Sequence, residues 1–235
     1  MRDGAILCLG DWTASALLGF KVAPDVRRSG IKSKHGFGPV LPRPFYERTA
    51  LQVARGLLGK VLVHEGPKAR RAGRIVETEA YLGPHDLAAH SSKGRTPRTE
   101  VMFGPGGYAY VYFIYGMYFC FNIVTGVEGV ASAVLVRGLE PLVGIPPETR
   151  TDGPARLTRA LGIGRAENGL DLTASALAIH DGPGFPKSRL RRGPRVGVEY
   201  AGSWAHRPYR FWVEGSPGVS RAPKARPAAF RTRGR

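Results

Sequence analysis

Cysteine is almost missing. Only Cys8 and Cys120 occur in 235 residues, so the chain can build neither a disulfide framework nor a cysteine-based metal site, and it suits a reducing compartment. Histidine is sparse as well: the six, at positions 35, 64, 85, 90, 180 and 206, contain no HExxH spacing and one close pair, His85 and His90. No metal and no cofactor are therefore expected. Acidic residues number 18 against 35 basic ones, a formal net charge of +17. That excess selects a polyanionic partner, nucleic acid ahead of an anionic membrane, without fixing a chemistry. Long hydrophobic runs are absent too. The apolar patch at residues 5–20 is broken by Asp11, too short to cross a bilayer and poorly shaped as a signal peptide. Residues 1–40 read as a disordered extension or a start placed too early, residues 41–220 as one folded domain, and residues 221–235 as a basic disordered tail. The expected setting is a cytoplasmic monomer, on the nucleoid if the source is bacterial.

The most distinctive stretch present is residues 108–123, a dense aromatic run with no charge and no proline. It predicts a β-hairpin with arms at 108–114 and 117–124 and a turn at Tyr115-Gly116, where glycine permits positive φ. Alternation places Tyr108, Tyr110 and Tyr112 on one face and leaves Tyr115 alone at the tip. Around it, Thr49 and Gln52 have capping-box spacing before a helix that Gly59 ends, and Pro154 and Gly162 bracket a second helix at 154–161. A short helix is expected over 84–90. Strands are expected at 60–64, around Glu77 and Glu79, at 132–137, 176–180, 195–200 and 209–213. Strands and hairpins outnumber helices, so the fold class is α+β: a single domain on a curved, mostly antiparallel, open-barrel-like sheet with flanking helices and a protruding hairpin.

Period-2 geometry over residues 74–81 puts Ile75, Glu77, Glu79 and Tyr81 on one side and Arg74, Val76, Thr78 and Ala80 on the other. A pure core strand would not carry two carboxylates on one face, because unpaired buried charge costs several kcal/mol. A basic surface, a tip tyrosine, face-sharing acids and rings point to hydrolysis at a nucleotide taken out of its helix. Tyr81 and Tyr112 can serve as plates for an extruded base, and Tyr115 can fill the gap it leaves. The basic, turn-rich loop with Lys93, Arg95 and Arg98 can lie on phosphates. Glu77 is either a second catalytic carboxylate or a structural partner for Arg74, Arg137 or a backbone amide. Two other classes compete. One is a glycoside hydrolase built on Glu77 and Glu79, which gains nothing from the basic surface; the other is a non-catalytic nucleic-acid-binding protein that uses Tyr115 as a wedge.

The runs GRIVETEAYLGP (73–84), AAHS (88–91), YVYFIYGMYFCFN (110–122) and RGLEP (137–141) resemble the alkyladenine (3-methyladenine) DNA glycosylase family, in the family's order over roughly residues 41–220. The resemblance implies a base-excision-repair hydrolase that flips alkylated or deaminated purines out of double-stranded DNA and leaves an abasic site. It implies Glu79 as general base on a water held by Arg137 and the Val196 backbone carbonyl. It further implies Tyr81, His90 and Tyr112 around the base, Asn122 as the gate against the 2-amino group of guanine, and Tyr115 as the intercalating wedge. Arg156 stands where family members often carry lysine. The scheme requires that the Glu79 carboxylate face residues 81, 112 and 137 and that it not be sealed in the interior.

Overall fold

The computed structural model describes residues 36–220; the expectations for residues 1–35 and 221–235 fall outside the described residues. Residues 36–40, assigned above to the extension, already lie on the domain. Phe37 packs beside Val61 and Val63, and Val40 bridges His180. A turn of helix, α1 (Arg43–Tyr46), leads into α2 (Ala50–Leu57). Thr49 caps α2 as its spacing predicts: its hydroxyl accepts the Gln52 N–H at 3.4 Å, and Gln52 Oε1 accepts the Thr49 N–H at 3.2 Å. Ala50, Val53, Ala54 and Leu57 recur at helical spacing and form the buried stripe.

The strands are β1 (Val61–Glu65), β2 (Arg70–Tyr81), β3 (Ala109–Ile114), β4 (Tyr118–Thr125) and β5 (Ser132–Val143). Helix α3 (Pro154–Leu161) follows, then β6 (Leu177–His180), β7 (Leu190–Gly193) and β8 (Arg210–Val213). Every pairing is antiparallel, in the order β3-β4-β5-β2-β1-β6, with β8 paired to β2 and β7 to β8. The described residues thus form one α+β domain on a curled antiparallel sheet, the expected class. Its main core, which includes Leu57, Val76, Phe121, Val136, Leu139 and Leu157, joins α2 and α3 to the sheet. The Thr78 hydroxyl donates to the Ala54 carbonyl at 2.9 Å and ties α2 to β2.

Strand β2 is central because β5 runs along one edge while β1 and β8 share the other. Its register against β5 slips three times, once between Ala72 and Gly73 and twice around Glu77. Ile75 pairs with Leu139, Glu77 with Gly138 and Thr78 with Val136, which leaves Val76 unpaired on β2 and Arg137 unpaired on β5. Bulges of this kind bend a strand and re-aim side chains. Ile75 and Val76 consequently both enter the apolar core, so Ile75 does not share the face of the acids. Glu77, Glu79 and Tyr81 turn the other way, toward Arg137.

Two other expectations need correction. Residues 84–90 form turns in place of a helix, because the Asp86 carboxylate accepts the Leu82 and Ala88 N–H groups and so competes with helical bonding; a 3₁₀ turn follows at His90–Lys93. Residues 195–200 form no strand. β7 stops before Pro194, which has no N–H to offer a ladder, and a 3₁₀ segment, kinked at Gly202, follows at Glu199–His206.

Candidate active site

A cavity of about 430 Å³ opens beside the β3–β4 hairpin. Its wall includes Tyr81, His90, Tyr112, Asn122, Arg137 and Val196, with Tyr115 and Tyr200 at its rim. The volume lies in the range of small-molecule sites. Helix α3 holds the hairpin side in place. Pro154 begins it, Gly162 ends it at φ 72° with the Ile163 N–H bonded to the Thr158 carbonyl at 2.8 Å, and the Thr158 hydroxyl donates to the Phe119 carbonyl on β4 at 2.9 Å.

Behind the cavity wall lies Glu79. Its Oε1 accepts the Val196 N–H at 2.8 Å and its Oε2 the Tyr81 hydroxyl at 2.9 Å. Arg137 stands farther off, with Nε 3.4 Å from Oε1 and Nη1 3.5 Å from Oε2. The carboxylate therefore faces residues 81 and 137 but has no exposed surface. Of the two conditions set by the sequence, the orientation is met for these partners and the exposure is not: the acid sits one layer behind the lining residues Tyr81, Arg137 and Val196, so a catalytic role for it requires water to pass this layer. Burial raises its pKa above the ordinary carboxylate range, against the pull of Arg137, the Val196 amide and the Tyr81 hydroxyl. For Val196 the observed contact is the N–H, where the expectation named the carbonyl.

Glu77 occupies a separate polar knot. It accepts from Arg137 Nε at 3.1 Å, Arg210 Nε at 2.7 Å, the Ser220 amide at 2.5 Å and the Ser220 hydroxyl at 2.8 Å. Fully buried and engaged by four donors, it is not placed as a second catalytic carboxylate. Arg137 also donates to the Ser220 hydroxyl at 3.2 Å. Burial disfavours its charge, yet Glu79 and Glu77 together hold its pKa above the ordinary arginine value. Arg74 pairs instead with Glu140, at 2.5 Å.

The ring-bearing residues converge. His90 and Tyr112 meet edge to face with centroids 4.5 Å apart, and His90 Nδ1 lies 3.0 Å from the Tyr110 hydroxyl. Burial, aided by the charges of Arg98 and Lys93, lowers His90 to about 4, so its imidazole is neutral at physiological pH. Asn122, almost fully buried, donates to the Tyr110 carbonyl at 3.1 Å, which fixes its carboxamide in the wall.

Tyr115 stands at the hairpin tip, 82% exposed. It holds φ 53° and Gly116 φ 67°, and the Met117 N–H closes the turn on the Ile114 carbonyl at 3.3 Å. A tyrosine in this left-handed region costs on the order of 1–3 kcal/mol, which the paired hairpin arms must hold. Tyr115→Gly is therefore expected to leave thermal stability equal or higher while weakening binding to lesion-bearing duplex. Paired melting curves and titrations check this, and a less stable variant with unchanged binding contradicts it.

The proposed phosphate contacts scatter. Lys93 is exposed, Arg95 pairs with Glu100 at 3.4 Å, and Arg98 donates to the Phe113 carbonyl at 3.3 Å while lying over the Tyr112 ring. Arg98 is thereby joined to the cavity; Arg95 is engaged away from it. Arg156 on α3 pairs with Asp152 at 3.1 Å.

Sequence reasoning missed the pair of Asp86 and Arg195. Both side chains are fully buried, Arg195 binds both oxygens of Asp86 at 2.5 and 2.9 Å, and its guanidinium lies 4.7 Å from the Tyr81 ring centroid. Arg195 also donates to the Ala80 carbonyl at 2.9 Å. This pair backs Tyr81 and fixes the residue preceding Val196, and with it the amide on Glu79. The two are 109 positions apart, beyond any local pattern.

Comparison with known proteins agrees with the geometry. Residues 44–217 match the family model described as methylpurine-DNA glycosylase. The chain is 59% identical over 183 residues to a Myxococcus xanthus protein named "Putative 3-methyladenine DNA glycosylase", covering 78% of this chain and 94% of that one. Proteins of the same name from Legionella pneumophila and Anaeromyxobacter dehalogenans are 52% and 55% identical, over 77% and 80% of this chain and 98% and 89% of theirs.

Proposed function

Since the chain belongs to the methylpurine-DNA glycosylase family, and is accordingly a base-excision-repair hydrolase of the N-glycosidic bond in DNA, we propose that its cavity receives a damaged purine turned out of the duplex and that Glu79 activates the attacking water. The observation that carries this reading is the set Glu79, Tyr81, Arg137 and Val196, an acid held directly behind the wall of a ring-lined cavity. Val196 and Tyr81 each fill one acceptor position on a carboxylate oxygen; the long Arg137 contacts hold the remaining positions loosely, and a water entering from the cavity displaces those first.

The water's oxygen bonds to C1′ and its proton passes to Glu79, while the electrons of the C1′–N bond leave with the purine. For a cationic alkylated purine those electrons neutralise the ring, so departure needs no strong acid. The transition state resembles an oxocarbenium ion, which a nearby carboxylate also stabilises. Tyr81, Tyr112 and the neutral His90 hold the base by stacking and cation–π attraction, Asn122 rejects the 2-amino group of guanine, and Tyr115 enters the vacated stack. Among the described residues no lysine lines the cavity, which favours water over an amine as nucleophile. Lys93, Arg95 and Arg98 meet phosphates. The enzyme works as a monomer on chromosomal DNA in the cytoplasm. Among the described residues no helix is long and apolar enough to cross a membrane.

The test is incubation with duplex DNA carrying hypoxanthine or a methylated purine, followed by alkaline cleavage of abasic sites. Strand scission at the lesion alone is expected. Salt-sensitive binding without base release would return the chain to the class of structural nucleic-acid binders.

A further inference from the structure

Tyr115 and Tyr200 are the two most exposed aromatic side chains among the described residues, at 82% and 71%, and both line the rim of the same cavity from different elements. The first has a role in the reading above, on which this inference rests. Tyr200 has none. Its place is nevertheless built. The neighbouring Val198 and Ala201 are buried together with Ala88, beside Tyr81 and Trp204. The Tyr200 hydroxyl donates to the Ala88 carbonyl at 3.2 Å, two residues before His90. Burial pushes the Tyr200 phenol upward against the pull of the neighbouring Arg195, and Tyr115 is near enough to add to that push after Asp86. The ring is thus pinned at its root and at its hydroxyl while its face stays open to solvent.

An exposed phenol that is immobilised at both ends has already lost the rotamer freedom that stacking would otherwise remove. Its partner must be flat or apolar on one side and compatible with a strongly basic protein. A nucleotide satisfies both conditions. We propose that Tyr200 is a second stacking element, which supports the nucleotide adjoining the extruded one on the damaged strand while Tyr115 fills the stack on the other lip. Aromatic stacking on a base in an unpaired strand is worth about 1–3 kcal/mol, so losing it weakens binding roughly 5- to 150-fold.

The test uses the whole protein and a duplex with one tetrahydrofuran abasic analogue, which cannot be cleaved and gives the base-holding rings nothing to grip. Tyr200→Ala is expected to bind it at least about 5-fold more weakly than the native protein. Tyr200→Phe, which keeps the ring and loses the hydroxyl anchor, should stay within about 3-fold. At saturating enzyme, both should excise a damaged purine at near-native single-turnover rates. A 2-aminopurine next to the analogue reads the contact directly: fluorescence in the complex should be higher with Tyr200→Ala than with the native ring. Unchanged affinity and unchanged fluorescence in Tyr200→Ala would overturn the proposal. So would native affinity with a collapsed rate at saturation, which would move Tyr200 into the base pocket. If the native protein itself neither excises nor prefers the analogue over intact duplex, the failure belongs to the glycosylase reading instead.

Discussion

Glu79→Gln is expected to slow single-turnover excision by about 10²- to 10⁴-fold, the usual worth of a positioned general base, while binding to lesion-bearing duplex stays near native. Glutamine keeps the shape and can still accept the Val196 N–H through its carbonyl, so the wall of the cavity survives. What goes is the proton acceptor and the negative charge beside the sugar. The same substitution makes a statement about stability. Burial raises the Glu79 pKa in the folded state, so the fold favours the protonated acid, and the stability this group contributes falls as pH rises from the ordinary carboxylate range through that raised value. At neutral pH the native carboxylate is therefore a net cost, and Glu79→Gln should melt at an equal or higher temperature. Near-native excision would remove Glu79 from the chemistry. A strongly lowered melting point would show instead that the acid is chiefly structural.

The second large effect concerns the pair behind Tyr81. Asp86→Ala or Arg195→Met leaves one fully buried charge without its partner, a change that costs roughly 3–5 kcal/mol. For a domain of this size that lowers the melting temperature by about 6–20 °C. The double variant Asp86→Ala/Arg195→Met should recover part of the loss, since no charge is stranded. Recovery separates the cost of an unpaired charge from the worth of the pair itself. Activity is not expected to recover with it, because the Tyr81 ring loses its backing guanidinium and the Val196 amide its anchored neighbour. Melting within about 2 °C of native for both single variants would contradict the account of this pair.

Much of the fold is readable from local rules because local chemistry sets it. Thr49 with Gln52 and Pro154 with Gly162 mark helix ends through backbone hydrogen bonds that span three to five residues, and α2 and α3 lie where these residues put them. The hairpin follows for the same reason: glycine at 116 and uninterrupted aromatic arms decide the turn before anything else packs. The acidic face of β2 is legible only in part. Alternation gathers Glu77, Glu79 and Tyr81, yet it misassigns Ile75, because the bulge at Val76 is set by pairing with β5. The rest depends on contacts between distant segments. Asp86 is drawn out of a helix-like pattern by Arg195, and Glu77 is claimed by Ser220, 143 positions away. Depth is the other illegible quantity. Spacing shows that Glu79 and Tyr81 share a face, but whether the shorter side chain reaches the cavity or stops behind the longer one depends on the curvature of the finished sheet.

That depth makes one experiment decisive: the single-turnover excision rate of a neutral lesion such as hypoxanthine, measured across pH. If the buried Glu79 carboxylate takes the water's proton, the rate falls on acidification along a limb whose midpoint lies above the ordinary carboxylate range, and the limb disappears in Glu79→Gln. A rate that is flat through that range in the native protein, or the same limb in both proteins, contradicts the account.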